Sequence, residues 1–146
     1  MRPLTVDVHI GAPVEAVWQE LRAIDRHVTW MRDAESITFA NDQREGVGTL
    51  FYCRTRVGPF VLNDVMSITE WVPNQSMGVT HRGLVTGEGT FSLRAEGSGT
   101  HLEWSEQLHF PWFLGGAITA LAARPVLRWL WRQNLVQLRQ QITPFK

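Results

Sequence analysis

The chain holds a single cysteine, Cys53, among its 146 residues. One thiol excludes an internal disulfide and any multi-thiol metal site, as in a reducing compartment. Neither sign of charge is in excess: Lys plus Arg and Asp plus Glu both total 14. Without a cationic surplus to hold a phosphate backbone, no nucleic-acid partner is expected. No apolar run reaches the roughly 18 residues that a membrane-spanning helix requires, although residues 110–123 come nearest. Residues 1–8 alternate polar and apolar side chains, unlike the basic start and apolar run of a secretory leader, so a cytoplasmic location is expected. Gly87-Glu88-Gly89 enters a strand pattern instead of opening a helix, which removes the context of a dinucleotide-binding turn. No serine nucleophile elbow occurs. These absences leave no cofactor and no metal to expect.

What is present suffices for one domain over residues 1–146, since a chain of this length buries about 70% of its unfolded surface. Residues 4–10 alternate, with Val6, Val8 and Ile10 on one face and His9 on the solvent side, as in a half-buried strand. Pro13 opens a short helix with Val14, Val17, Trp18 and Leu21 at helical spacing. A second short helix is expected over 25–31, with Asp25 as its N-cap. Strands then follow over 36–40, 48–57, 60–72, 77–82, 89–95 and 100–110, separated by short turns. Short connections pair sequence neighbours antiparallel, which gives seven strands with the first.

Residues 112–142 read as one long helix interrupted only by Pro125. At 100° per residue, Phe113, Ala117, Ala120, Leu127, Trp131, Leu135, Leu138 and Ile142 share a face that needs a sheet to cover it. That face is bulky after Pro125 and small at Ala117 and Ala120 before it. The difference leaves room under the first half of the helix. A second stripe, Leu114, Ile118, Ala122, Pro125 and Trp129, points away from the sheet. It is expected to serve as a homodimer interface or a peripheral membrane contact.

Parity along the strands places Leu102, Trp104, Glu106, Leu108 and Phe110 on the inner face, with Phe91, Leu93, Met77, Val79, His81, Met66, Ile68, Phe51 and Cys53. His101, Glu103 and His109 then face water, and Cys53 reads as an inert small hydrophobe. Glu106 and His81 are polar residues on an apolar face, and Asp64 is a third if its strand has no bulge near Asn63. A carboxylate there must be paired or touch a ligand, because burying it bare costs several kcal/mol or more. Two readings stand for Glu106: an ion pair with Arg124 or Arg128 of the helix, or a group facing a ligand as anchor or general acid–base. His81 has the same two readings.

The run Gly11-Ala12-Pro13-Val14-Glu15-Ala16-Val17-Trp18, then Trp30, then Gly97-Ser98-Gly99-Thr100-His101-Leu102-Glu103-Trp104-Ser105-Glu106 resembles the polyketide cyclase/dehydrase-like branch of the START/Bet v 1-like superfamily. Residues 123–128 inside the last helix are similar too, and the resemblance covers essentially the whole chain. It implies an α+β helix-grip fold, in which a seven-stranded antiparallel sheet curves around the C-terminal helix over a cavity. It supplies no reaction and no catalytic residue. The expected function is binding of a mostly apolar small molecule, such as a lipid, polyketide or aromatic, in that cavity. The expected lining is Glu106, His81, Trp104, Leu108, Phe91, Met77, Ala117, Ala120 and Arg124. The alternative is a cyclase or dehydratase acting on such a ligand with Glu106 and His81 as its polar groups.

Overall fold

The computed structural model describes residues 2–143; Met1 and residues 144–146 of the expected domain lie outside them. Strand β1 (Leu4–Ile10) buries Leu4, Val6, Val8 and Ile10 by simple alternation. Helix α1 (Val14–Arg22) follows Pro13, whose φ of −67° suits a helix entry, and turns Val17, Trp18 and Leu21 inward. The next segment is a 3₁₀ turn over Ile24–Thr29, tighter than the α-helix expected there. Ala23 stands at its N-cap without a side-chain bond, so Asp25 is not the cap.

The remaining strands are β2 (Ala34–Phe39), β3 (Leu50–Val57), β4 (Phe60–Val72), β5 (Ser76–Arg82), β6 (Thr86–Glu96) and β7 (Gly99–His109). With β1 they form one antiparallel sheet in the order β1-β7-β6-β5-β4-β3-β2. A bulge in β4 lies between Ile68 and Glu70, not near Asn63. Asp64 therefore keeps its parity with Met66 and Ile68, and it is buried.

The C-terminal helix α2 (Gly116–Ile142) starts later than residue 112. Trp112–Leu114 form a 3₁₀ turn, and Gly115 and Gly116 then take φ of +96° and +52°, left-handed values that break a continuous helix. Thr119 Oγ1 donates to the Leu114 carbonyl across this break. Phe113 loses the helical phase expected of it and is exposed. Farther on, Trp131, Asn134, Leu135 and Leu138 are buried. This is the helix-grip arrangement, with the curved sheet wrapping α2.

The core fills one end of that grip. Trp131 stacks on Trp104 at 5.2 Å, Phe91 lies 5.1 Å from Trp104, and Trp30 closes on both at 6.0 and 6.5 Å. Trp18 meets Trp71 edge-on at 5.2 Å. The outward stripe of α2 is bare: Ile118 is 80% and Trp129 61% exposed, and Ala122 and Pro125 are exposed as well, whereas Leu114, expected on this stripe, lies on the preceding 3₁₀ turn, off the helix. No helix among the described residues is long and apolar enough to cross a membrane.

Candidate functional site

Beyond the aromatic cluster, sheet and helix part to leave a cavity of about 580 Å³. Met77, Phe91, Trp104 and Leu108 form part of its sheet wall, where parity put them. The helix wall is Thr119, Ala123, Val126, Leu127 and Trp131. Ala117 is exposed, and Ala120 lines a separate crevice of about 20 Å³ that also touches Arg124. The correction is one of helical phase. At 100° per residue Ala123 lies about 60° to one side of Ala120 and Arg124 about 40° to the other. The cavity occupies the Ala123 flank, while the Arg124 flank packs over β1.

The same phase settles the partner of Glu106. Arg124 donates to the carbonyls of Arg2 at 2.7 Å and Pro3 at 3.4 Å, and Arg128 to that of Thr5 at 3.3 Å. Both guanidinium groups tie α2 to β1, so the expected arginine pair with Glu106 does not form. Among the described residues, the charged group within ion-pair distance of Glu106 is His81, whose Nε2 lies 3.3 Å from Oε1. That distance serves charge attraction, but Nε2 is off the line of a hydrogen bond.

How these two side chains meet follows from β6. His81 is on β5 and Glu106 on β7, two strand spacings or about 10 Å apart. Between them, His81 pairs with Gly87 and Glu106 with Gly89, both on the inner face of β6. A Cβ at Gly89 would stand 2.5 Å from Glu106 Oε1 and 2.8 Å from its Cγ, and one at Gly87 would stand 3.1 Å from the His81 ring. The two missing side chains open a floor over which imidazole and carboxylate lean together. Asp64 adjoins them from β4, and a Cβ at Gly83 would overlap its Oδ1. That Oδ1 is buried and has no hydrogen-bond partner.

Asp64, His81 and Glu106 thus all line the cavity, close enough that the charge of each acts on the others. Burial pulls the His81 imidazole down, but Glu106, Asp64 and a bond to the Val85 backbone together outweigh it and hold it above 6.5. Burial raises the Asp64 carboxyl, with His81 opposing and Glu106 adding to the rise. Two further polar residues of the cavity are structural. His27 Nε2 donates to the Leu21 carbonyl at 2.7 Å, and burial lowers its pKa to about 4, so it is neutral near pH 7. Asp33 Oδ1 accepts from Nδ2 of the fully buried Asn134 at 2.9 Å, and Asn134 Oδ1 accepts from the Arg32 amide at 3.0 Å.

The Cys53 thiol lines the cavity, and burial pushes its pKa up, away from nucleophilic chemistry. Among the described residues no group of three or more His, Cys, Asp or Glu is arranged to hold a metal ion. Sequence reasoning passed over Gly87 and Gly89 as elements of a site. The sequence carried part of the signal: two glycines at strand period mark a gap in one face of a strand, although what lies across from them needed the register.

The family described as polyketide cyclase / dehydrase and lipid transport matches residues 1–143. Comparison with curated proteins gives no match. Among solved structures, TTHA0849 from Thermus thermophilus is similar with a TM-score of 0.83 and 15% identity, covering 97% of each chain. A conserved protein from Geobacillus kaustophilus has a TM-score of 0.76 at 15% identity, over 96% of this chain and 94% of that one. MLL2253 from Mesorhizobium loti has a TM-score of 0.71 at 20% identity, over 99% of both. At such identities the structures speak for the fold alone, whereas the family match spans nearly the whole sequence. The chain belongs to the polyketide cyclase/dehydrase and lipid transport family, within the START/Bet v 1-like helix-grip superfamily.

Proposed function

We propose that the chain binds one mostly apolar small molecule, a lipid, polyketide or aromatic compound, in the cavity between sheet and α2. The observation that carries this reading is the cavity itself. Its volume of about 580 Å³ falls inside the roughly 300–1,000 Å³ range of small-molecule sites, and its lining is apolar apart from a few grouped polar residues. Four lining residues, Phe60, Leu84, Leu114 and Val126, are also exposed. They mark where the cavity meets the surface, and an apolar rim suits an apolar visitor. Met77, Phe91, Trp104 and Leu108 would hold its body, and Glu106 and His81 its polar end.

Fluorescence of Nile red, an uncharged dye that brightens in apolar surroundings, tests this. Wild type should bind it, and Ala123→Phe, which fills the helix wall, should weaken binding at least tenfold. Equal binding by both proteins would move the ligand elsewhere.

A second reading is supported by Asp64, His81 and Glu106 in that lining: loss of water from a β-hydroxy ketone held in the cavity. One group would take the α-proton and another would protonate the departing hydroxyl. Incubation with an aromatic β-hydroxy ketone and detection of the enone decides it, and no enone above the rate without protein removes it. For the outward stripe of α2, we propose contact with a second copy of the chain, on the strength of the exposed Ile118 and Trp129.

A further inference from the structure

The electrostatic content of the cavity bears on which apolar molecules it accepts. Its lining includes three carboxyl groups, Asp33, Asp64 and Glu106, and no lysine or arginine. The nearby arginines, Arg124 and Arg128, are held on the β1 flank by backbone carbonyls. Of the two imidazoles, His27 has its Nε2 hydrogen committed to Leu21. His81 is then the lining group left to carry positive charge when protonated, and it faces Glu106 at 3.3 Å. An anionic headgroup would find no free cation here and would stand among carboxylates in a poorly screened space.

The hydrogen-bond inventory agrees with the charge inventory. Asp33 is already supplied by Asn134. Asp64 is not: it is 8% exposed, and its Oδ1 has no donor. A buried acceptor without a donor is costly, and the deficit is removed if the carboxyl turns toward a ligand that brings the donor. Asp64 Oδ1 lies back on Gly83, where a Cβ would overlap it, and Glu106 Oε1 lies on Gly89, so the missing side chains let both carboxyl groups seat in the cavity wall. On the proposal that the cavity is a ligand site, we infer that it selects apolar molecules whose polar end donates hydrogen bonds, a hydroxyl or a protonated amine, and turns away carboxylate and phosphate headgroups. The carboxyl groups of Asp64 and Glu106 are the acceptors. Burial holds the Asp64 carboxyl above its ordinary range, as befits a carboxyl short of donors.

Three ligands with the same saturated chain, dodecylamine, 1-dodecanol and dodecanoic acid, separate the headgroup from the body. Each is titrated near neutral pH against wild type loaded with Nile red. The amine and the alcohol should displace the dye at concentrations roughly tenfold or more below the acid, a difference that one or two well-placed donors sustain. In Asp64→Asn/Glu106→Gln the ratio of the acid midpoint to the amine midpoint should fall toward one. Displacement by the acid as readily as by the amine and the alcohol would overturn the inference while leaving the cavity a ligand site. Failure of wild type to bind Nile red or any of the three overturns the binding reading and the inference with it. If the double variant does not fold, the wild-type series alone still decides.

Discussion

His27 offers a way to test, through stability, how dry the filled end of the grip is. Its ring packs 5.1 Å from Trp30 and 6.2 Å from Phe91. Burial lowers its pKa from 6.5 to about 4, against the Leu21 bond and the Asp25 carboxylate, which both favour the cation. The unfolded chain takes up this proton near pH 6.5 and the native chain only near pH 4. Between those values the unfolded state binds more protons, so stability falls as pH falls. A difference of that size is worth about 3 kcal/mol, fully present above pH 6.5 and lost by the time pH reaches 4. Asp33 and Asp64, both raised by burial, act in the opposite direction: they cost stability at neutral pH and return it on acidification. A single pH profile therefore mixes signs, and a difference is needed. His27→Gln keeps a donor for Leu21 and removes the titration. Urea unfolding at about pH 7 and about pH 4.5 should show wild type losing about 2–3 kcal/mol more than the variant. Parallel losses, or an imidazole of native His27 that titrates near 6.5 by NMR, would refute the argument.

Glu106→Gln removes one of the groups that hold His81 up, so the His81 imidazole should titrate lower in the variant when followed by NMR. Because no arginine is left unpaired, the stability loss should be about 1–2 kcal/mol, well short of the 3–5 kcal/mol expected for breaking a buried arginine pair. The outward stripe of α2 is checked by sedimentation velocity. Wild type should show a dimer that Ile118→Asp abolishes, and a monomer at every concentration would remove this interface.

Much of the fold was legible because strands write their faces in alternation. Parity placed His81 and Glu106 on the inner face, and Asp64 too on condition of no bulge near Asn63, while short turns gave the antiparallel order. What parity lacks is the neighbour across the sheet. Nothing in the spacing of Gly87 and Gly89 says which strands flank them, so the way His81 reaches Glu106 across β6 emerged only with the register. Helical periodicity erred in a different manner. It assumed one unbroken phase from residue 112, and the positive φ values at Gly115 and Gly116 reset it. Phe113 moved to solvent. Ala117, Ala120 and Ala123 all follow that break, so the helix wall passed to Ala123 for another reason: the cavity lies on one flank of the stripe and not beneath its middle. The arginine pairing failed for a related reason, since a stripe drawn on a wheel has no left or right until the flanking strand is known. Arg124 and Arg128 lie on the β1 side.

The unequal anchoring of α2 also divides its local stability. Trp131, Asn134, Leu135 and Leu138 are buried after Pro125, whereas before it only Ala120 is. Pro125 has no amide hydrogen, so one rung of the helix ladder is missing where the two halves join. Amide exchange should then run on two clocks, with residues after 130 protected almost to the global unfolding energy and residues 116–124 opening at far lower cost. The part that opens easily is the part carrying Thr119 and Ala123 of the cavity wall. Fraying a few turns of helix would therefore widen the static rim, while the sheet and the far half of α2 stay folded.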